Sequence, residues 1–170
     1  MLAIRLATFD DINQIMLLVR RVTELLNQQG NYQWDKNYPL QSIFEQDIWH
    51  KTLFVAYQKQ QLVGIVCINT QQAEEYNGLN WLSENNNFYV IHRLAVDPLY
   101  QMSGIGKALL HFADQHALLN NKQYLKADTF EGNEIANSLF KKHGYQYIDQ
   151  IQYEGYTGFY NCYEKQIIAQ

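Results

Sequence analysis

The chain has 170 residues, near the usual size of one compact domain and long enough to bury a substantial core without disulfides or metal. Hydrophobic residues make up 47% and charged residues 18%, with no low-complexity tract, a composition that excludes a disordered chain. The net charge of -4 and a pI near 5.7 offer no basic surface for phosphate backbones, so nucleic acid is not expected as a partner.

Leu2 to Leu6 reads as a short strand. Thr8 with Asp11 makes a capping-box-like start for a helix to about Gln28, whose Ile12, Ile15, Met16, Val19, Val22 and Leu26 form one apolar stripe. Gly30 stops it, and a turn-rich aromatic segment with Trp34 and Tyr38 leads into a second helix from Leu40 to about His50. On that helix Glu45 and Asp47 could hold an amine, although carboxylates on a surface helix more often only solvate. Thr52 to Tyr57 and Leu62 to Asn69 are β-branched and aromatic, and pair as a hairpin. Thr70 to Asn87 is polar, carries the Asn77-Gly78 turn signal and reads as a long loop with Tyr76 and Trp81 as its only aromatic side chains.

Phe88 to Val96 is the most apolar strand, ended by Asp97-Pro98. A helix follows from about Ser103 to Leu119, then a strand from Gln123 to Thr129, and a short helix from Asn133 to His143 closed by Gly144. Two aromatic strands around Glu154-Gly155 and Gly158 complete the order βααβββαβαββ. That order belongs to an α/β or α+β sheet covered by about four helices, and nothing divides residues 1-170 into more than one domain.

Cys67 and Cys162 lie far apart in apolar or aromatic runs, with no CxxC partner and no His/Cys cluster at zinc spacing, so neither a disulfide nor a metal is expected. The start MLAIRLATFDD lacks a basic-then-apolar leader, and no run is long enough to span a membrane. A cytoplasmic location without a membrane partner is the expectation, and a homodimer is compatible with the sequence.

The informative motif is Gln101-Met102-Ser103-Gly104-Ile105-Gly106-Lys107, placed between the apolar strand and the helix that follows. A helix N-terminus presents unpaired N-H groups and positive dipole, and glycines let the backbone approach an anion closely. A Walker A loop would need glycine at Gln101 and Ser or Thr at Ala108, and a dinucleotide fingerprint would need glycine at Leu109. Both fail, and Q-x-x-G-x-G remains.

The run Val90-Ile91-His92-Arg93-Leu94-Ala95-Val96-Asp97-Pro98 followed by this loop resembles the acetyl-coenzyme A core of the GNAT superfamily of N-acetyltransferases. A second segment, Asp128-Thr129 through Asn133, Ala136, Asn137 and Phe140 to Gly144-Tyr145, resembles that family's D-T-x-x-x-N-x-x-A-x-x-L-Y-x-x-x-G-[FY] stretch. The resemblance implies a mixed, mostly antiparallel sheet of about seven strands, splayed near strands 4 and 5. It implies that the amides of Gln101, Met102, Ser103, Gly104, Ile105, Gly106 and Lys107 hold the pyrophosphate of coenzyme A. It further implies that the backbone of Leu94, Ala95 and Val96 pairs with the pantetheine arm, that Asn133 bonds it, and that Ala136 and Phe140 line its path.

By the same resemblance the reaction is acetyl transfer from acetyl-CoA to an amine, with a backbone N-H at Leu94 or Val96 stabilising the oxyanion. His92 is the candidate base, because imidazole titrates near neutrality and some relatives carry a histidine there. Alternation puts His92 and Leu94 on one face unless a bulge intervenes, with Arg93 turned away into an ion pair. Phe140 departs from the family: a tyrosine there is the usual acid, and nothing in the spacing of Tyr145, Tyr153 or Tyr156 selects a replacement. The acceptor, a small-molecule or peptide amine, would meet aromatic residues, with Trp34, Tyr38, Trp81 and Tyr156 as candidates and Trp49, Tyr153 and Tyr160 nearby in sequence. Three readings stand at this point: an acetyltransferase for a small amine, one for a protein N-terminus or lysine, and a non-catalytic acyl-CoA-binding module.

Overall fold

Asp11 sets the first turn of the fold. In a computed structural model that describes residues 1-168, its carboxylate accepts the Thr8 N-H at 2.7 Å, and β1 (Leu2–Leu6) leads through this cap into α1 (Ile12–Gln28). The remaining elements are α2 (Gln41–Trp49), β2 (Leu53–Gln58), β3 (Gln61–Asn69), β4 (Phe88–Val96), α3 (Ile105–Leu119), β5 (Tyr124–Phe130), α4 (Glu134–Lys142), β6 (Gln146–Ile151) and β7 (Tyr160–Gln166). Every helix and strand expected from the periodicity is present, in the expected order. In hydrogen-bonding order the seven strands run β1-β2-β3-β4-β5-β7-β6, with β4 and β5 parallel and the pairs β1-β2, β2-β3, β5-β7 and β6-β7 antiparallel. This is the mixed, mostly antiparallel sheet anticipated above.

Contacts group the chain into two compact units. The first comprises Met1–Ile68 and Arg93–Leu109. Its core is the α1 stripe of Ile12, Ile15, Leu18, Val19 and Val22, packed with Trp34, Phe44 and Ile48 on Leu53, Val55, Ile65 and Ala95. The three- and four-residue spacing of the stripe is what turns one side of α1 onto the strands. Asp11, 3% exposed, is held by both guanidinium nitrogens of Arg5 at 2.8 Å and by the Tyr57 hydroxyl at 2.7 Å.

The second unit comprises Asn69–His92 and Leu110–Gln170. Here Tyr76, Phe88, Val90, Ile151, Tyr160 and Cys162 form one cluster, with Trp81, Phe130 and Tyr153 against it. The segment read as a loop contains a 3-10 turn, Glu74–Gly78, and is fastened at Tyr76, which is 1% exposed. Further on, the N-H groups of Leu82 and Ser83 donate to the fully buried Glu164 carboxylate at 2.6 and 3.1 Å. Lys126, 2% exposed, places its ammonium over the rings of Trp81 and Phe88. Asp114 joins α3 to β7 and the end of α4 through Lys165 at 2.7 Å and His143 at 2.9 Å.

Two of these carboxylates make the fold acid-sensitive. Burial pushes the Asp11 carboxyl up, but Arg5, the Thr8 amide and Tyr57 outweigh it and hold it well below the usual carboxylate range. Burial likewise raises Asp114, and His143 and Lys165 bring it to a net decrease. A folded-state pKa below the unfolded one stabilises above the unfolded value and loses that stabilisation as pH falls. Thermal scans should therefore give a flat Tm down to about pH 5 and a steep fall below about pH 4, where unfolded Asp takes up protons. Asp11→Asn, which cannot titrate, should lower Tm at neutral pH and flatten the acid limb.

Candidate functional site

The first unit carries the end of β4, the loop after it and the start of α3. Asp97, 1% exposed, closes β4: its Oδ1 accepts the Leu99 N-H at 3.0 Å, its Oδ2 pairs with Arg21 of α1 at 2.5 Å, and its own N-H donates to Val63 O at 2.9 Å. The loop thus leaves the strand from a fixed point. Met102 (φ 62) and Gly104 (φ 84) are left-handed, and the Ser103 hydroxyl turns back to Tyr100 O. These two residues delay the helix, which starts at Ile105 and not at Ser103. Its first intrahelical bond runs from Ala108 N to Gly104 O at 3.0 Å, so the amides of Ile105, Gly106 and Lys107 lie ahead of the ladder. Met102, Ser103, Gly104 and Lys107 are exposed, while Gln101 and Gly106 are half-buried and Ile105 is buried.

The helix start is seated by Gly64 of β3. A Cβ there would lie 3.0 Å from Leu109 Cδ1, 3.1 Å from Ile105 Cγ2 and 3.2 Å from Ala95 O. These contacts are tighter than ordinary van der Waals distances, so a side chain at Gly64 would require its neighbours to give by a few tenths of an ångström. Leu94 and Val96 are half-buried and Ala95 lies in the core. At Gly104, by contrast, no heavy atom stands within 4 Å of an added Cβ. Gly104→Val should therefore leave the unit folded but move the loop, since a β-branched residue in the left-handed region costs about 1–2 kcal/mol or more. If the loop holds the coenzyme A diphosphate, as the resemblance implies, the expected result is a rise in that ligand's Kd of about tenfold to a hundredfold, with Gly104→Ala intermediate, because misplaced amides lose charge-assisted bonds. Thermal-shift titration checks it, and an unchanged Kd would remove this loop from the cofactor's path.

Arg93 bends β4. Its φ of 49 interrupts the extended backbone, so the two-residue alternation does not carry through from His92 to Leu94. The guanidinium donates from Nε and Nη2 to Asp47 at 2.9 and 2.8 Å, and from Nη1 to the Tyr38 hydroxyl at 3.3 Å. Asp47 is correspondingly 8% exposed, buried by this pair and not solvated as a surface-helix carboxylate would be.

In the second unit the ladder between β4 and β5 runs from Phe88↔Tyr124 to Ile91↔Ala127 and stops, although β5 continues through Asp128 to Phe130. The sheet opens at His92 and Asp128. His92 Nε2 lies 3.0 Å from Gln71 O and 3.1 Å from Asn69 Oδ1. A backbone carbonyl can only accept, so Nε2 carries the proton and the lone pair of the neutral ring sits on Nδ1.

Asn133 is the N-cap of α4, its Oδ1 accepting Ala136 N-H at 3.1 Å, which leaves its Nδ2 as the donor for any ligand. Asn137, one helical step on, is fully engaged: Nδ2 donates to Phe130 O, Glu131 O and Asn133 O, and Oδ1 accepts from Asn161 Nδ2 and Tyr163 OH. It ties the start of α4 to β5 and β7. Ala136 is half-buried. Phe140, 3% exposed, stacks on Tyr163 at 5.6 Å and meets Tyr145 edge-on at 5.2 Å. Tyr145 is no ready acid, because burial, with Asp114, raises its phenol well above the ordinary value. Tyr153 is raised too, by burial first and then by Asp128, to which its hydroxyl donates at 3.0 Å.

Of the aromatic acceptor candidates, Trp34 belongs to the first unit's core at 5% exposure, and half-buried Tyr38 packs on that core and contacts Arg93. In the second unit Trp81 covers Lys126 and donates from Nε1 to Tyr76 O at 2.9 Å, and Tyr156, 38% exposed, meets Tyr160 edge-on. Trp49 is 75% exposed. Among the described residues no cluster of three metal-ligating side chains occurs, and no helix is long and apolar enough to cross a membrane.

Comparison with known proteins bears on this arrangement. The chain is 23% identical over 167 residues to the N-acetyltransferase YesJ of Bacillus subtilis, itself uncharacterized, covering 96% of this chain and 89% of that protein. Its fold matches a GNAT-family acetyltransferase from Streptococcus agalactiae with a TM-score of 0.87 at 24% identity, over 99% of this chain and 96% of the other. It also matches the PaiA N-acetyltransferase from Thermoplasma acidophilum, solved in complex with coenzyme A, with a TM-score of 0.72 at 16% identity, over 98% and 99% of the two chains. The sequence model of the acetyltransferase (GNAT) family matches residues 19–145, which takes in β4, the glycine loop and α4. With well over half of its length inside that match, the chain belongs to the GNAT acetyltransferase family.

Proposed function

We propose that the whole chain acts as one cytoplasmic N-acetyltransferase domain that moves the acetyl group of acetyl-CoA to the primary amine of a small molecule, by direct attack in a ternary complex. The observation that carries this reading is the left-handed turn at Gly104 feeding three amides that precede the first bond of α3. Such amides suit a diphosphate, because they are unpaired donors at the positive end of a helix. Residues Gln101 through Lys107 would hold the diphosphate, the backbone of Leu94, Ala95 and Val96 the pantetheine, and Asn133, with Ala136 and Phe140, its flank. Acetyl-CoA, when bound, supplies an acyl group activated as a thioester.

In this reading the N-H of Leu94 or Val96 donates to the acyl oxygen. His92 takes a proton from the acceptor nitrogen at Nδ1, while Gln71 O and Asn69 hold Nε2-H and fix the ring. The new bond is N-C, the broken bond C-S, and the thiolate leaves without a dedicated phenol: its ordinary pKa of about 8.5 makes it a tolerable leaving group near neutrality. The aromatic residues of the segments before the second helix and near the C-terminus suit a small, enclosed acceptor over a peptide.

Purified protein mixed with acetyl-CoA should release free thiol with at least one member of a panel of small amines, and faster than with a peptide array. Coenzyme A binding without thiol release from any amine across the neutral range would support the second reading, a non-catalytic acyl-CoA-binding module, which the phenyl ring of buried Phe140 favours.

A further inference from the structure

Asp11, Asp47, Asp97 and Asp114 each pair with a basic side chain of the chain itself. Asp128 is recessed as well, yet among the described residues no Lys, Arg or His forms an ion pair with it. It is held by neutral donors: Tyr76 OH at 2.5 Å and Tyr153 OH at 3.0 Å, both on Oδ2. Oδ1 accepts no hydrogen bond among the described residues, on a residue that is half-buried. A carboxylate offers about four acceptor sites, and the two phenols fill two of them.

The surroundings favour a cation. Tyr76 packs on Trp81 with ring centroids 4.8 Å apart, and Tyr153 on Tyr160 at 4.9 Å, so both hydroxyls that hold the carboxylate are fixed by ring packing. Burial, together with the charge of Glu75, raises the Asp128 carboxyl, and the two phenols offset only part of this. The position is also where an acceptor would be expected. Asp128 is the first residue of β5 past the last pair with β4, and His92 is its counterpart on β4. Phe88 and Val90 face the cluster that contains Tyr76, and His92, two residues on, reaches the same loop at Gln71 and Asn69.

We propose that Asp128, held by Tyr76 and Tyr153 where β4 and β5 part, is the residue that binds the ammonium group of the amine acceptor. This inference rests on the transferase reading above. An aliphatic amine is almost wholly protonated at neutral pH, and Asp128 collects that form. One proton passes to His92 before the nitrogen attacks, and the second, shed once the N-C bond has formed, goes to the departing thiolate.

Asp128→Asn tests the charge alone, since the amide oxygen still accepts from both phenols. The KM for a turned-over small amine should rise about tenfold to a hundredfold while the KM for acetyl-CoA stays put, the loss expected for a hydrogen bond to a charged group. In the unaltered protein, choline should compete with the amine and its uncharged tert-butyl isostere should not. This second measurement decides the matter if the variant fails to fold. An unchanged amine KM in a folded variant, or equal inhibition by the isostere, overturns the assignment. If no amine releases thiol from the unaltered protein, the transferase reading fails instead, and calorimetric binding of choline but not of the isostere would still uphold Asp128 as a cation site.

Discussion

Replacing His92 by glutamine should lower kcat by about a hundredfold to ten-thousandfold, the contribution a positioned general base makes. Glutamine is the informative choice. Its amide can still donate to Gln71 O, so the loop contact that Nε2 makes at 3.0 Å survives while the basic nitrogen is lost. Coenzyme A affinity should not change, because His92 is not among the residues proposed here to hold the cofactor. Thiol release at saturating acetyl-CoA reads kcat, and thermal shift reads Kd. A kcat close to that of the unaltered protein would show that the acceptor loses its proton to another group or directly to water, and His92 would become a strap for residues 69–71.

Much of the fold was legible because it rests on local pattern. The α1 stripe, the Asp97-Pro98 stop and the alternation of strands with helices each depend on neighbours within a few residues, and each reappears in the structure with its bounds shifted by no more than a turn. What the sequence did not reveal depends on distant partners. Glu164 reads as one more polar residue in a tail strand, yet it is fully buried and anchors amides at Leu82 and Ser83. Asp128 stands inside a motif that was read for its asparagine and alanine. Its tyrosine partners lie 52 and 25 residues away, a relation no periodicity encodes. One signal was available: Lys126 and Asp128 alternate along a strand that is otherwise apolar at Leu125 and Ala127, which puts two charges on one covered face. The bend at Arg93 carried no such signal, since arginine has no preference for a left-handed backbone.

That bend leads to the second large effect, expected for Arg93→Met. The guanidinium and the Asp47 carboxylate are each 11% exposed at the side chain and joined by a two-pronged contact. Methionine keeps much of the apolar volume but leaves the carboxylate recessed without its partner, and breaking a buried pair from one side costs about 3–5 kcal/mol. Against a net stability of about 5–15 kcal/mol this is a large share, and Tm should fall by about 6–20 °C in a chain of this size. Arg93→Lys should recover only part of it, because an ammonium cannot make the paired contact. The double variant Arg93→Met with Asp47→Asn should be more stable than Arg93→Met alone, since it removes the stranded charge. That ordering separates an ion pair from simple packing, under which the second substitution would only add damage. The pair also holds backbone that matters to the reaction proposed here: Arg93 is the left-handed link between His92, the candidate base, and Leu94, a candidate oxyanion donor. If kcat falls in Arg93→Met well below the temperature at which it unfolds, the strand is losing its bend before its fold, and the ion pair sets the geometry of the site as well as its stability.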